Sequence, residues 1–227
     1  MIGGNHKDNI IKIDTILEDL RSKVELPKAE ENQPLSEEQV AIKNYLDDRR
    51  IHYLVHFTDK KNIENIKSKG ILSVEQLKSE KTAYVSNDEN RKDNEPDYIS
   101  LSVSGINQYV YKTFRYSNQT IEHGVAVVID AKMLYREIDT HRIYCNTNAA
   151  TAEANKGDSL DAFMAMFSDV VEYSTLTGGK REINRNAENR NSFEPTDIQA
   201  EILWNKRVSA DYILFYWDLE EDFFYGN

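Results

Sequence analysis

One cysteine, Cys145, stands among 227 residues, so neither an internal disulfide framework nor a multi-cysteine metal site can form. No charged neighbour in the sequence perturbs it, and it reads as a small buried hydrophobe rather than a nucleophile. No apolar run approaches the ~20 residues of a bilayer span. Met1-Ile-Gly-Gly-Asn-His-Lys lacks the apolar stretch of a secretory signal, so a soluble, cytoplasmic protein with no membrane partner is expected. Basic charge is also short. The formal net charge of −11 argues against a broad polyanion-binding surface, and any nucleic-acid site must draw its cations from particular segments. There is no Walker sequence, no Gly-x-Gly-x-x-Gly turn, no His-Glu-x-x-His pair and no Gly-x-Ser-x-Gly elbow. The five histidines are scattered; His52 and His56 share a strand face but lack further ligands, so no metal is expected.

What is present suits one sizeable domain with an appended element: 40% hydrophobic and 10% aromatic residues, ordinary for a globular chain. Ile10, Ile13, Leu17, Leu20 and Val24 trace a helical stripe over 8–25. Ser36-Glu37-Glu38-Gln39 has the form of a capping box and opens a second helix to about Arg50. Residues 1–50 therefore read as a helical extension, packed on the main domain or serving as an interaction arm. Residues 51–58 form the first strand, and a short helix carrying Ile63 and Ile66 stops at Gly70. The polar stretch 80–95, with Tyr84 and Arg91, reads as an ordered active loop or a short helix. Strands follow at 98–103, 124–130 and 138–145, with a helix bearing Ile106, Tyr109, Val110 and Phe114 after the first. Beyond Asn146 an Ala-rich helix and a helix over 160–171 are expected, and a last buried strand over 211–217.

Two stretches invite a chemical reading. Lys180, Arg181, Arg185 and Arg190, interleaved with asparagines, make 175–196 the most basic neighbourhood of an acidic chain; it reads as a solvated loop or a nucleic-acid contact. After it, Ile198, Ala200 and Ile202 alternate with Gln199, Glu201 and Leu203 at strand period, setting Glu201 opposite its apolar neighbours. A solvated acid on a surface strand and a catalytic carboxylate are both compatible with that pattern.

His56-Phe57-Thr58, then Lys69-Gly70-Ile71-Leu72, resembles the opening of the DarT family, bacterial toxins that transfer ADP-ribose from NAD to nucleic-acid bases. The resemblance continues through Tyr84 and Arg91, through Asp97-Tyr98-Ile99-Ser100-Leu101-Ser102, and through Thr147-Asn148-Ala149-Ala150. It closes on Pro195-Thr196-Asp197-Ile198-Gln199-Ala200-Glu201-Ile202-Leu203, and spans roughly residues 51–217. It implies an α+β fold, an ADP-ribosyltransferase-like split mixed β-sheet core with flanking helices, over residues 51–227. It implies Glu201 and Arg91 as catalytic residues, and His56, Phe57, Thr58, Gly70, Tyr84 and Asn148 as the NAD-binding set. Ser102-Val103-Ser104-Gly105-Ile106-Asn107 departs from the thymidine-modifying branch, leaving the target base open between thymidine and guanosine.

The implied reaction breaks the nicotinamide–ribose bond as positive charge builds on the sugar, as in glycoside cleavage. The leaving group departs neutral and needs no acid; a carboxylate beside the ribose is what the transition state requires. Base ring nitrogens are hidden in a duplex, so single-stranded nucleic acid is the expected substrate, DNA before RNA. Lys180, Arg181, Arg185 and Arg190 are the candidate phosphate contacts. A macrodomain antitoxin is the partner the resemblance implies. Two other readings stand beside this one: a protein-modifying transferase of the same fold, and a non-catalytic domain whose acidic helices recruit a partner.

Overall fold

The structure is a computed structural model that describes Thr15 and residues 34–85, 95–107, 123–151, 153–174, 178–220 and 223–226. The expected helices over 8–25 and after Ile106, and Arg91 with them, lie outside the described residues.

Helix α1 (Glu37–Arg49) begins where its capping box places it: Gln39 N donates to Ser36 Oγ, and Ser36 N donates back to Gln39 Oε1 at 2.8 Å. It buries Ile42 and Leu46 in the main core. Tyr45 packs edge-on against Phe163 and Phe167, so this helix is part of the core rather than a loose arm. Strand β1 (Tyr53–Asp59) leads into a short 3-10 turn and helix α2 (Ile63–Lys69). Gly70 ends that helix at φ +77, and a Cβ there would stand 2.1 Å from the Val208 carbonyl oxygen. Only glycine allows both the left-handed backbone and the close approach that pairs Ile71 with Val208. Helix α3 (Val74–Ser79) repeats the capping-box solution with Ser73 and Gln76.

The frame is an eight-stranded sheet built with β2 (Ile99–Val103), β3 (Gly124–Asp130), β4 (Arg142–Cys145), β5 (Lys156–Gly157), β8 (Glu201–Trp204), β9 (Ile213–Asp218) and β10 (Phe223–Gly226). The strand order is β10-β9-β3-β1-β2-β8-β4-β5. Strand β3 is buried along nearly its whole length, as a continuous apolar run predicts for a central position. Where β1 meets β3 seven residue pairs are in register; where it meets β2 only Leu54/Val103 and Val55/Ser102 are. The sheet splits there, and the split opens beside His56. The α+β class stands; the sheet expected to be mixed pairs antiparallel throughout the described strands. One face carries the main core, with Leu54, Leu101, Val127 and Trp204; the other carries a smaller cluster around Tyr53, Val55 and Trp217.

Helix α4 (Met133–Arg136) follows β3, and α5 (Leu160–Ala165) is capped by Ser159. The helix expected over 160–171 stops early. Val170 and Val171, β-branched, begin a strand instead, β6 (Val170–Ser174), paired with β7 (Lys180–Asn184) as a separate hairpin. After Asn148 there are turns where an Ala-rich helix was expected. Among the described residues no helix is long and apolar enough to cross a membrane.

Candidate active site

Glu201 is the first residue of β8, not the middle of a strand as its alternating neighbours suggest. Asp197 is the reason. Its Oδ1 accepts from Gln199 N at 2.9 Å and its carbonyl from Ala200 N at 3.0 Å, so 197–200 is a side-chain-closed turn. That turn releases the chain into β8 with Glu201 between Ser102 of β2 and Cys145 of β4. Glu201 is 9% exposed, so its carboxyl group needs partners, and they are present. Ala149 N donates to Oε1 at 2.6 Å, and the Ser100 hydroxyl donates to Oε2. The donor from the 147–150 turn is itself aimed, because Asn148 Oδ1 accepts from Ala150 N at 3.0 Å and holds that turn closed. Asn148 thus acts on the acid through the neighbouring amide.

Ser100 also links the two halves of the split sheet. Its carbonyl meets His56 Nδ1 at 3.1 Å, so one residue touches both the acid of β8 and the histidine of β1. Two residues along β1, the buried Thr58 hydroxyl accepts from Asn62 Nδ2 at 2.9 Å. Asn62 also donates to the Val85 carbonyl at 2.9 Å and accepts from Val85 N at 2.8 Å, while Asn65 Nδ2 donates to the Ala83 carbonyl at 2.8 Å. Asn62 at the end of the 3-10 turn and Asn65 in α2 therefore strap 83–85, and with it the half-exposed Tyr84, to the end of β1.

The other predicted residues fall elsewhere. Phe57 points to the opposite face of β1 and packs on the smaller core beside Gly124, where an added Cβ would strike its ring at 2.8 Å. Gly70 is occupied with the Val208 approach. The four cations separate. Arg185 is buried, with its guanidinium donating to the carbonyls of Glu194 (2.7 Å), Ser192 (3.3 Å) and Asn191. Burial pulls its pKa down from the ordinary guanidinium value, with Arg49 adding to the effect. Arg190 donates from Nε to the Thr196 carbonyl at 3.3 Å and pairs with Glu188 and the buried Glu194. Both were expected to meet phosphates. Both instead tie 185–197 into a compact loop, since inward carbonyls offer a buried guanidinium what solvent would. On the hairpin, strand alternation sends Lys180 to the outer face with Glu172 and Glu182, whereas Arg181 lies opposite Tyr173 on the inner face. Sequence reasoning gave Ser100, Asn62, Thr147 and Asp197 no role. Polar residues at alternate positions of a core strand, as in Ile99-Ser100-Leu101-Ser102, were the available signal for the first.

Glu201 is thus a buried acid braced by a serine hydroxyl and a backbone amide, and the same serine's carbonyl meets His56 from β1. The family model described as ssDNA thymidine ADP-ribosyltransferase, DarT, matches residues 55–215. The chain belongs to the DarT family. Among solved structures, Thermus sp. 2.9 DarT in complex with NAD+ is similar at 14% identity and a TM-score of 0.43, covering 71% of this chain and 79% of that one. No curated protein matches the chain.

Proposed function

We propose that this enzyme moves ADP-ribose from NAD to a base of single-stranded DNA and releases nicotinamide, with thymidine as the target base that the family description favours. The observation that carries the reading is Glu201, buried at the start of β8 and held from two sides. The bond from ribose C1′ to the nicotinamide nitrogen breaks, and nicotinamide leaves neutral with the electron pair. A ring nitrogen of the base then bonds to C1′, and its proton passes to the Glu201 carboxylate. Glu201 faces the cationic ribose, stabilising charge that is present only at the transition state, and it accepts hydrogen bonds from the sugar hydroxyls. Arg91 acts with it on the deprotonating base. His56 and Thr58 line the NAD ribose and carboxamide side, with Tyr84 strapped beside them. Asn148 supports the acid, and Arg181 is the phosphate contact kept from the four cations. A macrodomain that strips ADP-ribose is the antitoxin partner.

Enzyme incubated with labelled NAD and separate DNA, RNA and protein fractions is expected to label the DNA. Mass spectrometry of the digested nucleosides is then expected to find ADP-ribosyl-thymidine. Label in protein alone would overturn the substrate class, and a modified guanosine would overturn the base. Ser100→Ala removes a donor to a charged acceptor, an interaction worth about 1.5–3 kcal/mol. It is expected to lower kcat by about tenfold or more with little change in the KM for NAD, measured by steady-state label transfer.

A further inference from the structure

The amide that holds Glu201 Oε1 belongs to Ala149, in the loop that joins β4 to β5. Asn146 closes the neck of that loop: its amide donates to the Asn155 carbonyl at 3.2 Å, and its Oδ1 accepts from Asn155 N at 3.0 Å. Thr147, fully buried, fixes the start of the turn by donating its hydroxyl to Asp197 Oδ2 at 2.6 Å. Asn148 Oδ1 closes the turn from within on Ala150 N. The far side of Ala149 is held by Lys156, whose ammonium donates to the Ala149 carbonyl. One residue is therefore bracketed, with an ammonium on its carbonyl and the acid on its amide.

The sheet places the lysine for this. Cys145 pairs with Lys156 on one side and with Glu201 on the other, so the three side chains stand in one row on one face. Two strand spacings separate the ends of that row, about 10 Å. Strand β5 has only two residues and forms the outer edge of the sheet. Lys156 is exposed, and an exposed lysine ordinarily keeps its ammonium in water, because fixing its long stem costs rotamer freedom. Among the described residues no carboxylate pairs with it. An ammonium spent on one main-chain carbonyl, beside the brace on a buried acid, is more than a solvated surface charge.

We infer that Lys156 is a positioning residue for Glu201, holding the Ala149 carbonyl so that the amide of the same residue stays aimed at Oε1. The inference rests on Glu201 being the catalytic acid. Lys156 acts through Ala149 and touches neither NAD nor the target strand in this role. Its loss therefore slows the chemical step and leaves the binding of both substrates alone.

The test is steady-state label transfer from NAD to a single-stranded DNA oligomer, per mole of folded enzyme, with folding followed by thermal unfolding. Lys156→Met keeps most of the stem and loses the donor. It is expected to lower kcat about tenfold with the KM values for NAD and for DNA unchanged, the size expected of a partial misplacement of a reacting group. Lys156→Arg restores a donor and is expected to retain about half or more of wild-type kcat. Asn148→Ala loosens the same turn, so its double variant with Lys156→Met is expected to be little slower than the slower single. Ser100→Ala removes the brace on the other carboxyl oxygen, and its loss is expected to multiply with that of Lys156→Met. Wild-type kcat in Lys156→Met, or Lys156→Arg no faster than Lys156→Met, would overturn the inference. So would losses that multiply with Asn148→Ala, or a raised KM for DNA with kcat intact, which would make Lys156 a contact of the target strand. Full activity in Glu201→Gln would instead remove the reading beneath it, which separates the two failures.

Discussion

Glu201→Gln is expected to cut ADP-ribose transfer by about a thousandfold while leaving the fold and NAD affinity close to wild type. The change removes charge and almost nothing else. The glutamine carbonyl still accepts from Ala149 N, and the Ser100 hydroxyl rotates to accept from the new amide, so neither brace is left unsatisfied. Stability should follow, with the thermal midpoint moving by no more than a degree or two. Transfer should not. Positive charge on the ribose peaks at the transition state, inside a site where the acid is nearly shielded from water, and a preorganised electrostatic partner of this kind is worth roughly 3–4 kcal/mol. About 1.4 kcal/mol corresponds to tenfold, so the loss is near three decades. Single-turnover transfer from labelled NAD measures the chemistry, and calorimetric titration with NAD measures binding. Retention of more than a tenth of the wild-type rate would sink the assignment. Loss of NAD binding in proportion to activity would make Glu201 a binding group and not a catalytic one.

Local and continuous signals in a chain show through its sequence, and directional ones do not. Apolar continuity placed β3 at Gly124–Asp130, because a strand buried on both faces writes its burial into every residue. The capping boxes at Ser36 and Ser73 are local, and a local signal needs no tertiary information. The resemblance over 51–217 and the family match over 55–215 coincide closely. What failed was direction. Ile198 and Ala200 look like strand positions, yet the Asp197 side chain closes a turn there that no periodicity reveals. A count of cations along 180–190 says how much charge a segment holds and nothing about where it points. One residue of strand alternation separates Lys180 from Arg181, and the acceptors that draw Arg185 inward are main-chain carbonyls, identical in every sequence. The same blindness hid Ser100, whose carbonyl joins His56 while its hydroxyl joins Glu201. A residue that works by standing between two strands is legible only once the strands are paired.

Arg185 is where direction has the largest consequence. Were it a phosphate contact, its replacement would weaken DNA binding, flatten the salt dependence by about one charge and leave stability alone. The structure requires the opposite. Arg185 is 8% exposed, and its guanidinium donates to the carbonyls of Asn191, Ser192 and Glu194, with the Phe167 ring centroid 6.0 Å from it. The same loop is held from outside by Arg49, which donates to the Ser192 carbonyl at 3.2 Å while its own carbonyl accepts from the Ser192 hydroxyl at 3.1 Å. Arg185→Met fills part of the volume but removes the guanidinium donor shared by three inward carbonyls and takes a compensating charge away from Glu194. Breaking a buried charged network in this way costs about 3 kcal/mol or more. For a domain of this size that is roughly 6–12 °C in thermal midpoint. Transfer should fall too, since Thr196 and Asp197, the step into Glu201, hang from the same loop: Thr196 N donates to the Met166 carbonyl at 2.9 Å and its hydroxyl to Ser168. Arg181→Met provides the contrast, with little loss of stability and a shallower salt dependence of DNA binding. Thermal unfolding of both variants, together with DNA affinity across a salt series, separates the two roles. An Arg185→Met protein as stable as wild type, with only its salt slope reduced, would return that arginine to the nucleic acid.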